Sequence, residues 1–168
     1  MSAKGEKPVA EESLDAERDY NTSIRAQLPL NGAASEIRAT LKGQPNLGYA
    51  SLALELKNNA LIIYWKGNIP AATEQAIESV RGRGINISVL PAKYSLEELQ
   101  IEIRHLVKWE RENVEPAYRA HTWAPMHDGS GIWIYVLKRN PQVEERRNAS
   151  GMIRSTVEAE RAVLLGDW

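Results

Sequence analysis

Leu52-Ala53-Leu54-Glu55-Leu56-Lys57-Asn58-Asn59-Ala60-Leu61-Ile62-Ile63-Tyr64-Trp65 is the stretch that decides the fold class. Leu52, Leu54 and Leu56 alternate with smaller or polar residues, which is the period-two signature of a strand with one buried face. Lys57-Asn58-Asn59 interrupts the pattern with turn-forming residues, and the run from Ala60 to Trp65 follows at once. Two such runs around an Asn-containing turn predict a β-hairpin. The second run is apolar on both faces, which places it centrally in its sheet. Leu61, Ile63 and Trp65 fall on one face, and Ile62 and Tyr64 on the other.

Downstream, Pro70 can open a helix at its first turn, with Ala72, Ala76, Ile77 and Val80 as the buried stripe and Gly82 and Gly84 as the stop. Ile85, Ile87 and Val89 alternate with polar residues and predict a third strand, stopped by Pro91. Ser95-Leu96-Glu97-Glu98 has the form of a capping box, with Tyr94 and Leu99 placed as a hydrophobic staple. Leu96, Leu99, Ile103, Leu106 and Val107 then share one helical face to about Glu112, and Pro116 breaks the helix. A second hairpin follows, from Tyr118 to Trp123 and from Ile132 to Leu137, around His127-Asp128-Gly129-Ser130-Gly131. The expected fold is α+β, of order ββ-α-β-α-ββ, a mainly antiparallel sheet with helices packed on one face.

Outward from this core the signals weaken. Residues 1–20 are polar and charged, and residues 1–30 are expected to form a flexible or partner-bound arm. Ala34, Ile37 and Leu41 suggest a short helix over 33–42, within a core domain spanning 31–139. Residues 140–151 read as a linker, and 152–165 suit a strand or a helix equally. Beyond a loose echo between the two hairpins, no internal repeat emerges.

The 168 residues suit a single domain, long enough to bury roughly two thirds of its unfolded surface. Five Trp and six Tyr supply all the aromatic bulk, since Phe is absent. A net charge of −1 gives no global reason to bind nucleic acid or an anionic membrane. With no cysteine, disulfides, thiolate metal sites and a Cys nucleophile are excluded. Met1 to Ala10 holds no apolar signal core, and no run approaches the ~20 apolar residues of a membrane span. The sequence as written is expected in the cytoplasm, or outside the cell if a signal segment has been removed.

Chemistry-bearing constellations are scarce. His121, His127 and Asp128 match no familiar metal-ligand spacing and suit a solvated hairpin end. Asp128-Gly129-Ser130-Gly131 lacks the strand-to-helix elbow of a serine nucleophile, and Gly82-Arg83-Gly84 lacks the order of a phosphate loop. Glu97, Glu98, Glu102 and Glu110 interleave with Arg104, Lys108 and Arg111 as solvated helix faces would. Three Asn-x-Ser triplets mean nothing without a signal sequence. The expectation is therefore no catalysis, no cofactor and no metal. The aromatics Tyr64, Trp65, Trp123, Trp133 and Tyr135 all fall on predicted strands. One sheet face is expected beneath helices. The other presents Trp and Tyr outward as interface anchors, or lies under the chain's own termini.

Tyr49-Ala50-Ser51-Leu52 leads into Asn59-Ala60-Leu61-Ile62-Ile63-Tyr64. Val89-Leu90-Pro91-Ala92-Lys93-Tyr94-Ser95-Leu96-Glu97-Glu98-Leu99 follows, and then the hairpin around Trp123 and Asp128-Gly129-Ser130-Gly131. With these pieces the segment from Tyr49 to Lys138 resembles the propeptides of actinobacterial chymotrypsin-like proteases, the streptogrisin and α-lytic protease group. The resemblance implies a non-catalytic α+β module that templates or inhibits a protease domain through its sheet. The sequence as written is expected to depart from that group in lacking a signal peptide and a following protease domain. The competing expectation is a structural subunit of a phage virion or other assembly, in contact with neighbouring subunits or with its own copies.

Overall fold

A computed structural model describes residues 27–44 and 48–158. Four helices and two small mixed sheets make an α+β fold. Helix α1 covers 27–39, followed by β1 (Tyr49–Glu55), β2 (Ala60–Trp65), α2 (Ala71–Arg81) and β3 (Asn86–Pro91). Then come α3 (Leu96–Asn113), β4 (Ala120–Pro125), β5 (Ile132–Val136), α4 (Pro141–Asn148) and β6 (Ile153–Glu158).

The strands do not join into one sheet. β1-β2-β3 form the first sheet and β4-β5-β6 the second. In each, the first two strands are antiparallel and the last two parallel. The expected order ββ-α-β-α-ββ holds along the chain from β1 to β5, with α1 before it and α4 and β6 after it, while the expected mainly antiparallel single sheet is corrected to two mixed ones. A hairpin joins the antiparallel pair, but the third strand follows a helix, and a crossover helix returns the chain parallel.

The same αββαβ order occurs twice. Tyr49, Ser51, Tyr64 and Trp65 hold the register positions that Ala120, Thr122, Tyr135 and Val136 hold in the second sheet, and both first strands shift register at the same place. Leu30 and Ile37 on α1, two turns apart, are matched by buried Leu99 and Leu106 on α3. The chain is thus an internal repeat, which the faint hairpin echo understated. Only a handful of core positions carry the likeness, and the two units differ in the length of chain around their second helices.

Each sheet packs helices on one face. Leu30, Ala33, Ala34 and Ile37 of α1 and Ile77 and Val80 of α2 meet Leu52, Leu61, Ile63, Trp65 and Ile87. In the second unit Leu99 and Ile103 of α3 meet Ile132, Ile134 and Trp123. The Ser95 hydroxyl accepts the Glu98 amide at 3.2 Å, and a Glu98 carboxylate oxygen accepts the Ser95 amide at 2.8 Å, as the capping box predicts. The first hairpin turns through a short 3-10 helix, Leu56–Asn58, and closes on Asn59 in the left-handed region at φ 47°.

Three boundaries move. Helix α1 already covers residue 27 and buries Leu30, so the core reaches into the expected arm; residues 1–26 lie outside the described residues. The expected linker contains α4. Asn140 caps it by accepting the amides of Gln142 and Val143, and Pro141 takes the first helical position, where its missing amide costs nothing. Asn-Pro opens a helix here rather than a loop. The undecided segment supplies β6, while residues 159–168 lie outside the described residues. Among the described residues no helix is long and apolar enough to cross a membrane.

Candidate protein-binding face

The five strand aromatics do not share one face. Alternation along β2 puts Trp65 on the helix side, where it is 3% exposed and donates its Nε1–H to the Asn68 carbonyl at 3.1 Å. Tyr49 meets it edge-on at 6.1 Å. Trp123 also faces helices, pairing with core residue Ile134, and the Arg147 guanidinium lies 5.9 Å from its ring. Trp65 is therefore a core residue and Trp123 is partly buried against the second core, so the expectation that both face outward is corrected. A ring beside a core strand partner must follow that partner inward.

Tyr64, Trp133 and Tyr135 lie on the faces that carry no helix among the described residues and belong to neither core. Tyr64 meets the ring of His127 edge-on at 5.9 Å. His127 belongs to the β4–β5 turn, so the second unit's hairpin tip leans on the first unit's free face. The Ser51 hydroxyl donates to the His127 carbonyl, and the Tyr94 amide donates to the Gly129 carbonyl at 2.9 Å. Gly129 sits at φ +67°, and a Cβ there would lie 2.6 Å from the Ala92 Cβ and 2.9 Å from the Ala50 Cβ. Only glycine lets the turn approach this closely.

Trp133 and Tyr135 stay together on the second sheet, near-parallel at 27° with centroids 6.5 Å apart. The strand register adds Thr122 and Ala124 from β4 and Ser155 and Val157 from β6. Thr122 is exposed, and so is Val157, at 40%. The patch combines a tryptophan, a tyrosine, a valine, an alanine, a threonine and a serine, without a formal charge. That composition resembles an interface core, from which charge is depleted and in which Trp and Tyr act as anchors.

The remaining candidates have structural partners. Asp128 accepts the Ser130 amide at 2.9 Å inside the turn, and the Ser130 side chain and amide hold its carboxyl below the ordinary value. Among the described residues no three His, Asp or Glu come together as metal ligands. Burial disfavours charge on Glu98, but the Lys66 ammonium and the Ser95 amide outweigh it and hold the carboxyl below its ordinary value. Lys66 follows β2 of the first unit, so this pair ties the first sheet to the cap of α3.

One polar centre escaped the sequence reading. Glu110, read there as part of a solvated face, is buried and accepts the Arg147 Nε–H at 2.6 Å and the Ala120 amide at 2.8 Å. Arg147 is equally buried and donates from Nη2 to the Tyr118 carbonyl at 2.7 Å. The pair links α3, α4 and the entry to β4. Its position on the core-facing side of α3, one turn beyond Leu106, was the available signal.

No family model and no curated protein matches the sequence.

Proposed function

We propose that this protein is a non-catalytic protein-binding module whose contact surface is the helix-free face of the second sheet. The observation that carries the reading is the Trp133–Tyr135 stack, flanked by exposed Thr122 and Val157. Its counterpart on the first sheet, around Tyr64, lies beneath a hairpin tip. An uncharged aromatic sheet face gains by leaving water, and a protein surface of matching shape supplies the cover.

The resemblance to protease propeptides makes a chymotrypsin-like protease domain one class of partner. A subunit of an assembly is the other. The second class draws support from the chain's own architecture, in which a hairpin tip of this fold already covers a free sheet face of this fold. Affinity capture from the native host, with wild-type and Tyr135→Asp chains as baits, tests the reading. A partner retained by the wild type and lost with Tyr135→Asp supports it. A partner set indifferent to Tyr135→Asp, Thr122→Asp and Val157→Asp contradicts it.

A further inference from the structure

One segment of this chain starts at the rim of the second sheet's free face, and its role rests on the reading of that face as a protein-binding surface. β6 is an outer strand of the sheet, and Val157, on the free face, is 40% exposed. The described residues end at the next position, Glu158. Arg139 fixes this exit. Its amide donates to a Glu158 carboxylate oxygen at 3.2 Å, and its guanidinium donates to the Thr156 carbonyl. The chain beyond Glu158 therefore starts beside the row formed by Thr122, Tyr135 and Val157.

The sequence continues as Ala159-Glu160-Arg161-Ala162-Val163-Leu164-Leu165-Gly166-Asp167-Trp168. Its order suits the distance to be covered. A layer packed on a sheet lies about 10 Å above it, and three extended residues span about that much. Ala159 to Arg161 thus suffices for the rise, with both charges left at the rim. Ala162-Val163-Leu164-Leu165 then reaches a face about 10 Å wide, two strand spacings across. An uncharged apolar segment and an uncharged aromatic face both gain by leaving water together. Residues 1–26 are worse placed, since they lead into α1, whose Leu30 and Ile37 pack on the helix side of the other sheet.

We infer that residues 159–168 fold back over the Thr122–Trp133–Tyr135 face in the free chain and compete with the partner for it. The short tether sets an effective concentration on the order of 1 mM, comparable with the dissociation constant of so small an apolar contact, about 1 mM. The segment then covers the face for about half the time or more and weakens partner binding roughly twofold to tenfold. It acts as a brake on binding, not as a permanent seal.

Nuclear magnetic resonance of the full-length chain tests this, with Leu164→Asp as the tail variant and Val163→Asp in its place should that one not fold. Leu164→Asp is expected to shift the Trp133 indole signal and the amides of Thr122, Tyr135 and Val157, while the indole of buried Trp65 stays put. A synthetic peptide of residues 159–168, added to the variant, is expected to move those signals back toward their wild-type positions, half-saturating at about 1 mM. The same peptide carrying Leu164→Asp is expected to move none. Face signals indifferent to the tail variant and to the peptide overturn the inference. So do wild-type face signals that shift with protein concentration, which assign the cover to a second copy. Affinity capture separates the brake from the binding face beneath it. A captured protein that needs Tyr135 and is held more strongly by Leu164→Asp than by the wild type supports both. One that needs Tyr135 but is held equally by the two chains overturns the brake and leaves the binding face standing. Face signals that shift as expected, with no captured protein that needs Tyr135, overturn the binding face and the brake together.

Discussion

At the residue scale the buried pair Glu110–Arg147 carries the largest single electrostatic stake. Taking both charges out of water costs several kcal/mol each, and their contact offsets that only while both are present. Arg147→Ala is therefore expected to lower the unfolding free energy by about 3–5 kcal/mol in urea titration. The double variant Glu110→Leu/Arg147→Met should be more stable than either single truncation, because no unpaired charge stays buried. Double-variant stability at or below that of the worse single variant would contradict this. Glu98 is a milder case, since its carboxylate is well exposed. Its depressed pKa means that its contribution is present above the unfolded value, about 4.3, and is lost as pH falls through the lower folded value. Glu98→Gln should thus separate from the wild type in urea midpoint at about pH 7, and the difference should shrink as pH falls through the lowered folded value. The Ser95 cap was legible because its signature lies within four consecutive residues. The Glu110–Arg147 pair was not, because its members lie far apart in sequence and each alone reads as a solvated charge.

At the scale of elements, legibility followed locality. The first hairpin, the helix after Pro70 and the strand at Ile87 all announce themselves by alternation or helical spacing within a short window. α4 does not, since its one large buried contact is an arginine and its other residues are mostly polar. Sheet membership is non-local as well. Nothing in Ile153–Glu158 says that it runs parallel to β5, yet that pairing completes the second sheet. The capping box gives a direct check at this scale. Ser95→Ala is expected to cost roughly 0.5–2 kcal/mol, read as a lower denaturation midpoint, because one amide of the first turn loses its acceptor. An unchanged midpoint would mean that solvent satisfies that amide equally well.

For the whole molecule, two copies of one αββαβ unit are joined by a hairpin tip seated on a sheet face, and glycine makes the seat possible. Gly129→Ala meets both a left-handed φ of +67° and the atoms of Ala50, Ala92 and Tyr94, whereas Gly151→Ala meets a similar φ of +69° in open space. Gly151→Ala should cost about 1 kcal/mol and Gly129→Ala roughly 3 kcal/mol, compared by urea midpoint. Equal costs would mean that the tip does not press on the first unit. The repeat was nearly invisible in the sequence, because a sheet core needs only alternation and the two units share little else. The candidate face was legible in part: Tyr64, Trp133 and Tyr135 lie outward as alternation allows, while Trp65 and Trp123 turn to the helices. That separation of core from surface is the central claim, and unfolding free energies of Trp65→Ala and Tyr135→Ala, measured on dilute monomer, test it most directly. Trp65→Ala should lose about 3–5 kcal/mol from a filled core, and Tyr135→Ala about 1 kcal/mol from a cross-strand stack open to water. Equal losses of several kcal/mol would show both faces to be internal and leave no sheet face for a partner.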